Sequence, residues 1–236
     1  MECNDNCSTL RAVNVQKASS EKTVAQFLQK YYYITMGDYK QSMRYHRKED
    51  IMKVYTCYPG GRTKALTMSY DDGKIYDERL VEIFDKNGIK GTFNINYGLM
   101  ERDENRVQAD RVKELYKNHE VATHCMTHPT IARCPLINVA HEILEDRIGL
   151  EKLTGKLVRG HAYPNGSYSE EIKQLFRQLG IAYGRVVGSR PDYELPTDPL
   201  EWHPTCHHNN PKLMEMGQWF ADFPKKQYLK LMYVWG

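Results

Sequence analysis

Residues 65–74, ALTMSYDDGK, place two adjacent carboxylates between an apolar run and a glycine. The apolar run predicts a buried strand, and Asp71 and Asp72 then fall at its carboxyl end. Neighbouring carboxylates repel each other, but both stay ionised when a metal neutralises one of them. Because Asp and Gly also favour ordinary turns, this stretch alone does not establish a site.

Strand and helix patterns alternate along the rest of the chain. Seven segments have strand patterns: KALTMSY, GTFNINYG, EVATH, KLVRGHAY, IAYGRVV, LEWHPTC and YLKLMYVW. The helical patterns between them include SYSEEIKQLFRQLG, with a capping box from Ser167 to Glu170, and YDERLVEIFDKNG, with Ile83 on the apolar face. Such alternation predicts an α/β fold with parallel strands, either a β/α barrel or an open sheet. In both folds, functional residues collect at the carboxyl ends of the strands.

The first fifty residues differ from the rest of the chain. Four apolar residues at helical spacing predict an amphipathic helix over residues 21–34. We therefore predict an N-terminal extension of unknown role at residues 1–50 and the main domain at residues 51–236.

The charge balance and the apolar content exclude several classes of protein. The chain has 33 basic and 30 acidic residues, a net charge of +3, and no block of basic residues that would indicate a nucleic-acid partner. No stretch approaches the roughly 18 apolar residues of a membrane span. The first twenty residues lack the apolar core of a signal peptide, which predicts a cytoplasmic location for the chain as written and leaves secretion open if the true start differs. Six cysteines without regular spacing predict free thiols, and nothing indicates the oligomeric state.

Two histidines follow the third strand pattern, in THCMTHP. His124 and His128 are four residues apart, so on a helical turn both imidazoles would reach one metal. With one carboxylate of the DDG stretch they make a three-ligand site with an open position, the arrangement of catalytic metals. Zinc, the metal we favour, cobalt and nickel all suit these donors. A second pair with this spacing, His203 and His207, shows that the spacing alone is weak evidence.

With HAYPNG after the fourth strand pattern, these motifs resemble the polysaccharide deacetylases, carbohydrate esterase family 4 (the NodB-homology domain). That family carries T-F-D-D-G, H-[S/T]-x-x-H and R-x-P-Y-G in this order. The resemblance covers about residues 51–236 and implies a distorted (β/α)7 barrel, while leaving open whether the barrel is complete at its C-terminus. It also implies metal-dependent hydrolysis of acetyl groups from an N- or O-acetylated oligo- or polysaccharide.

The resemblance assigns roles to the residues of the first two motifs. Asp71 corresponds to the catalytic base, and Asp72, His124 and His128 correspond to the metal ligands. A metal there would lower the pKa of a bound water toward ~7. Cys125 stands where the family has Ser or Thr.

The third motif is only partly present. Asn165 stands at the family's tyrosine, whose backbone N–H helps to hold the oxyanion, and Tyr163 and Pro164 are expected to contact substrate. The arginine that orients the base in the family falls on Ala162 and is missing, and Arg159 lies three residues earlier.

The fourth motif and the general acid come from the last part of the chain. In PLEWHP, the resemblance implies that Trp202 lines the substrate pocket, with His203 beside it. The family's general acid is a histidine after a late strand, and the chain as written ends at LKLMYVWG before such a residue. We name His207 as the candidate acid, and the other histidines considered are His161, His203 and His208.

Two alternatives stay open. One is a non-catalytic sugar- or metal-binding relative that lacks the acid and the orienting arginine. The other is a zinc-stabilised structural or nucleic-acid module, in which Cys206 with His203 and His207 would supply ligands.

Overall fold

The computed structural model describes residues 42–48, 51–224 and 229–236, and it describes side chains from residue 56 onward. Within this part of the chain, seven parallel strands curl into a half-barrel with helices packed outside. This confirms the predicted α/β class and the distorted (β/α) barrel, which is incomplete within the described residues. The helix predicted over residues 21–34 lies outside the described residues.

A hairpin precedes the barrel. Strands β1 (Ser42–Lys48) and β2 (Ile51–Cys57) pair in antiparallel register. The predicted boundary between residues 50 and 51 falls between these two strands, and the division into an extension and a main domain stays a prediction.

The parallel sheet has the spatial order β7-β6-β5-β4-β3-β9-β8. Its strands are β3 (Lys64–Asp71), β4 (Thr92–Ile95), β5 (Glu120–Thr123), β6 (Gly160–Ala162), β7 (Tyr183–Arg185), β8 (Cys206–His207) and β9 (Lys230–Trp235). Just before β8, Trp202 pairs with Arg185 of β7. The segment LEWHPTC therefore contacts both edges of the sheet and links its two ends.

Five α-helices occur among the described residues, and they agree with the helical patterns of the sequence. They are α1 (Asp77–Lys86), α2 (Ala109–Leu115), α3 (Leu136–Thr154), α4 (Glu170–Gln178) and α5 (Leu213–Asp222). None of the described helices is long and apolar enough to cross a bilayer.

Two details of the helix predictions are wrong. Ser169 caps α4, because its extended backbone directly precedes the helix and its side chain accepts a hydrogen bond from the Ile172 N–H (3.3 Å). Ser167, the predicted cap, instead accepts a hydrogen bond from the backbone N–H of Ala132 (2.8 Å). On α1, Ile83 is exposed and Val81 is buried in its place.

The pleating of the strands decides which side chains enter the barrel, because alternate residues face opposite sides. Asn94 donates hydrogen bonds to Ser69 Oγ (2.7 Å) and Asp71 Oδ1 (2.9 Å), so these three residues share the inner face. On the outer face, the ring of His161 packs edge-on against Phe176 of α4, with 4.8 Å between centroids. The carboxyl ends of the strands thus direct polar groups inward, while the apolar core lies between the sheet and the helices.

Candidate active site

The structure brings Asp72, His124 and His128 together at the carboxyl ends of β3 and β5. One potential ligand atom from each lies within 4.8 Å of the other two, and no other such group of His, Cys, Asp and Glu occurs among the described residues. The distance from His128 Nε2 to Asp72 Oδ1 is 3.9 Å. Two imidazoles and one carboxylate are a donor set that fits a divalent transition metal.

Hydrogen bonding prepares His124 for this role. Its Nδ1 lies 2.7 Å from the carbonyl oxygen of Ala162. A carbonyl can only accept, so Nδ1 carries the proton and Nε2 keeps a lone pair for a metal. Burial lowers the pKa of His124, although the nearby Asp71 carboxylate acts in the opposite direction. The imidazole is therefore held in the neutral form that a metal requires.

The two histidines do not meet through a helical turn, so the predicted reason for their proximity is wrong. Residues 124–128 form an irregular loop, in which Cys125 and His128 have positive φ angles of 64° and 58°. Asp72 (75°) and Asn165 (57°) are the other described non-glycine residues with positive φ. All four lie in the three motifs, where strained backbone commonly accompanies function.

Asn96 and Arg106 connect the loop that carries Asp72 to the loop of residues 124–128. The Asn96 side-chain amide donates to the carbonyl oxygens of His124 and Cys125 (2.8 Å to Cys125). Its Oδ1 accepts a hydrogen bond from Arg106 Nη1 (2.9 Å). Arg106 also donates to the carbonyl oxygen of Asp72, and its Nη2 lies 3.5 Å from the Asp72 carboxylate. One buried amide and one guanidinium thus position both loops.

Helix α3 supports the histidine loop from the other side. The fully buried Asp146 carboxylate accepts hydrogen bonds from the backbone N–H groups of Tyr97 (2.6 Å) and His124 (3.1 Å). Burial raises the pKa of Asp146 well above its usual range. The Glu142 carboxylate accepts from the Thr127 N–H (2.9 Å) and hydroxyl (2.7 Å).

Asp71 is held by donors from two other strands. Its Oδ1 accepts hydrogen bonds from Asn94 Nδ2 (2.9 Å) on β4 and from Arg185 Nη2 on β7. Arg185 is fully buried, and its guanidinium carbon lies 4.7 Å from the centre of the Trp235 ring. The indole thus covers the ion pair on one side.

Arg185 was not predicted as a site residue, because the family carries its base-orienting arginine in the third motif and Arg185 lies outside that motif. Arg159, the alternative considered there, is exposed and donates to the carbonyl oxygen of Gly180 (3.2 Å), so it does not compensate. The available signal was an arginine at the end of the strand pattern IAYGRVV, the same edge of the sheet as the motifs.

The third-motif residues are divided between the core and the surface. The ring of Tyr163 is fully buried, stacks on Phe176, and its hydroxyl donates to the carbonyl oxygen of Leu200 (2.8 Å). Pro164 is also buried, so these two residues lack the exposed surface that the expected substrate contacts require. Asn165 is exposed and its side chain donates to Thr130 Oγ1 (3.2 Å).

Trp202 and His203 line a surface cavity. Trp202 is 6% exposed and packs edge-on against Tyr233, which makes it mainly a core residue. The cavity is lined by Arg190, Asp192, Glu194, Leu195, Pro196, Thr197, Asp198, Glu201, Trp202 and His203. His203 Nδ1 lies 2.7 Å from the carbonyl oxygen of Gly188.

The candidate acids occupy different faces of the sheet. His207 pairs in register with Trp235, and Trp235 pairs with Ser69, which places His207 on the inner face with Asp71. Its ring meets Trp235 edge-on at 4.7 Å. His208 instead stacks on Tyr70. His161 is fully buried among outer-face aromatic rings, so its side chain cannot reach a substrate.

The structure does not support the zinc-module alternative. Cys206, His203 and His207 do not form a ligand cluster in the described part of the chain. Cys206 is buried, and burial raises the pKa of its thiol to about 11, which disfavours the thiolate that zinc binds.

Fold alone does not define the chemistry of a site at the carboxyl edge of a parallel sheet, so the chain was compared with known proteins. Residues 59–184 match the profile of the family described as polysaccharide deacetylase. The chain belongs to the polysaccharide deacetylase family.

Individual relatives are more distant. The chain is 26% identical over 140 residues to a chitin deacetylase of Arthroderma benhamiae, and the match covers 56% of this chain and 36% of that protein. It therefore spans about a third of the length of this relative. Among solved structures, the Streptococcus pyogenes deacetylase PplD superposes with a TM-score of 0.58 at 18% identity, over 74% of this chain and 80% of that one. The BpsB deacetylase domain of Bordetella bronchiseptica gives 0.50 at 10% identity, over 71% and 72% of the two chains. At these identities the two structures support the fold alone.

Proposed function

We propose that this chain is a metal-dependent hydrolase that removes acetyl groups from an N- or O-acetylated oligo- or polysaccharide. The observation that carries the proposal is the Asp72, His124 and His128 cluster next to Asp71, a carboxylate held by two donors. Family membership supports the deacetylase chemistry, and the similarity to a chitin deacetylase supports a carbohydrate substrate.

Asp72, His124 and His128 would hold the metal, for which we propose zinc, with cobalt and nickel suited to the same donors. A bound divalent metal would supply an activated water and polarise the acetyl carbonyl. Asp71 acts as the base: its Oδ1 accepts both hydrogen bonds, which leaves Oδ2 to receive the proton of the attacking water.

Two further groups complete the proposed mechanism. The backbone N–H of Asn165 donates to the oxyanion that forms at the acetyl carbon. His207 protonates the leaving nitrogen or oxygen of the sugar, a role supported by its place on the inner face beside Trp235. We further propose that Trp202 and His203, which line the same cavity, contact more distant parts of the substrate.

The alternative of a non-catalytic binding relative is weakened by one contact. That alternative rested on the missing general acid and on the missing arginine of the third motif, and Arg185 supplies a guanidinium to Asp71 from another strand. A catalytic role is therefore the better explanation of the site.

The test is acetate release by the zinc-loaded chain from chitin oligomers, acetylxylan, peptidoglycan and N-acetylglucosamine. We expect Asp71→Asn to lower the rate by at least about 100-fold, the usual contribution of a general base. Zinc binding should persist in the variant, because Asp71 is not among the proposed ligands. Release that is unchanged in Asp71→Asn would refute the assigned base, and no release from a folded, zinc-loaded chain would favour the binding relative.

A further inference from the structure

Ala162 and Arg185 are register partners on the neighbouring strands β6 and β7. Paired residues on parallel strands point to the same face of the sheet, and the strands lie about 4.8 Å apart. Ala162, the position where the third motif leads one to expect an arginine, is fully buried and contributes only a methyl group. The side chain of Arg185 emerges next to that methyl group, on the same inner face.

Arg185 depends on Asp71 for its charge balance. The guanidinium is fully buried, and Asp71 is the carboxylate with which the structure pairs it. A buried guanidinium without such a partner is strongly unfavourable, so the two groups hold each other in place. Because Asn94 donates to the same carboxylate oxygen from β4, the plane of the Asp71 carboxylate is set from two strands.

We infer that the barrel has space for one guanidinium group beside Asp71, which a side chain from either β6 or β7 can supply, and that in this chain the group comes from β7. Arg185 is therefore the residue that positions the base, and the small side chain of Ala162 leaves room for it. The kinetic part of this inference rests on the proposed function. In this inference Arg185 affects the reaction by orienting Asp71, and it does not contact the substrate.

The test moves the guanidinium group from position 185 on β7 to position 162 on β6. Arg185→Ala should lower kcat by about 100-fold, the cost of a misplaced catalytic group, with little change in KM or zinc affinity. Ala162→Arg alone places two guanidinium groups at one buried position and should lower both activity and stability. The double variant Ala162→Arg/Arg185→Ala should be more active and more stable than either single variant. The matched control is Arg159→Ala, which removes an exposed arginine and should leave acetate release unchanged.

A double variant that is less active and less stable than both single variants would overturn the inference. The effects of two independent structural defects add, whereas an exchange of the guanidinium between the two positions should compensate. Added guanidinium ion gives a second readout. It should partly restore acetate release by Arg185→Ala and should not change acetate release by Asp71→Asn. If the native chain releases no acetate, the proposed function fails, but the pairing is still testable by urea unfolding. Arg185→Ala, Asp71→Asn and their combination should then show non-additive midpoints, and additive midpoints would overturn the pairing itself.

Discussion

Asn96→Ala tests how strongly the site depends on the amide that joins its two loops. Asn96 is 1% exposed and makes three side-chain hydrogen bonds, two to carbonyl oxygens of the histidine loop and one from Arg106. At about 1 kcal/mol each, their loss lowers the free energy of unfolding by about 3 kcal/mol, and the buried carbonyl groups left without donors act in the same direction. For a chain of this size the melting temperature should fall by about 6–12 °C.

Asn96→Ala should also weaken metal binding. Asn96 positions the backbone of His124 and, through Arg106, the loop of Asp72. Loss of such supporting contacts typically lowers metal affinity by about 10–100-fold. Calorimetric zinc titration and thermal unfolding of the same preparation measure both quantities.

The control for Asn96→Ala is Asn118→Ala. Asn118 is exposed, and its amide donates one hydrogen bond to Asp85 (3.1 Å). This variant should change stability by less than about 0.5 kcal/mol and leave zinc affinity unchanged. Native zinc affinity in a folded Asn96→Ala chain would refute the reasoning, because the ligands would then be positioned without the amide.

Three further predictions concern the ligands, a buried acid and the N-terminal segment. His128→Ala should sharply lower zinc affinity by calorimetry, while removal of the exposed His141 should not, and equal affinities would refute the ligand assignment. Burial raises the pKa of Asp77 to about 7, against the opposing effect of the Tyr116 hydroxyl and with a smaller contribution from the Asp71 and Asp72 charges. The native state then binds a proton that the unfolded chain has released, so wild-type stability falls as the pH rises from about 4 to about 7. Asp77→Asn, measured by urea unfolding, should therefore gain stability over the wild type across that interval, by up to about 4 kcal/mol, and hold a constant advantage above it; a pH-independent difference would contradict the assignment. Deletion of residues 1–50 should leave a cooperative thermal transition, and its loss would show that this segment belongs to the fold.

The class of fold and the principal residues of the candidate site could be predicted from the amino-acid sequence alone. Alternating strand and helix patterns are local, because each depends on the spacing of apolar residues over about ten positions, and they predicted the seven strands of the sheet. The order of strands also placed the DDG stretch and both histidines at one edge. Asp72, His124 and His128 do lie together there.

The orientation of the motif residues, and the contacts that hold them, depend on the tertiary structure. Whether Tyr163 faces the core or His207 faces the barrel depends on the pleat and pairing of each strand, and a shift of one residue would reverse both. The histidine loop takes its form from positive φ angles that Asn96 and Asp146 stabilise from distant parts of the chain.

Arg185 illustrates why the sequence could not predict these contacts. It lies 114 residues from Asp71 in the chain, and it reaches the carboxylate only because the curled sheet turns the inner faces of β7 and β3 toward each other. A sequence motif records residues that are close along the chain, whereas the partner of a buried charge is set by strand register and sheet curvature. The missing arginine of the third motif was therefore supplied by the fold, from a position that the motif does not include.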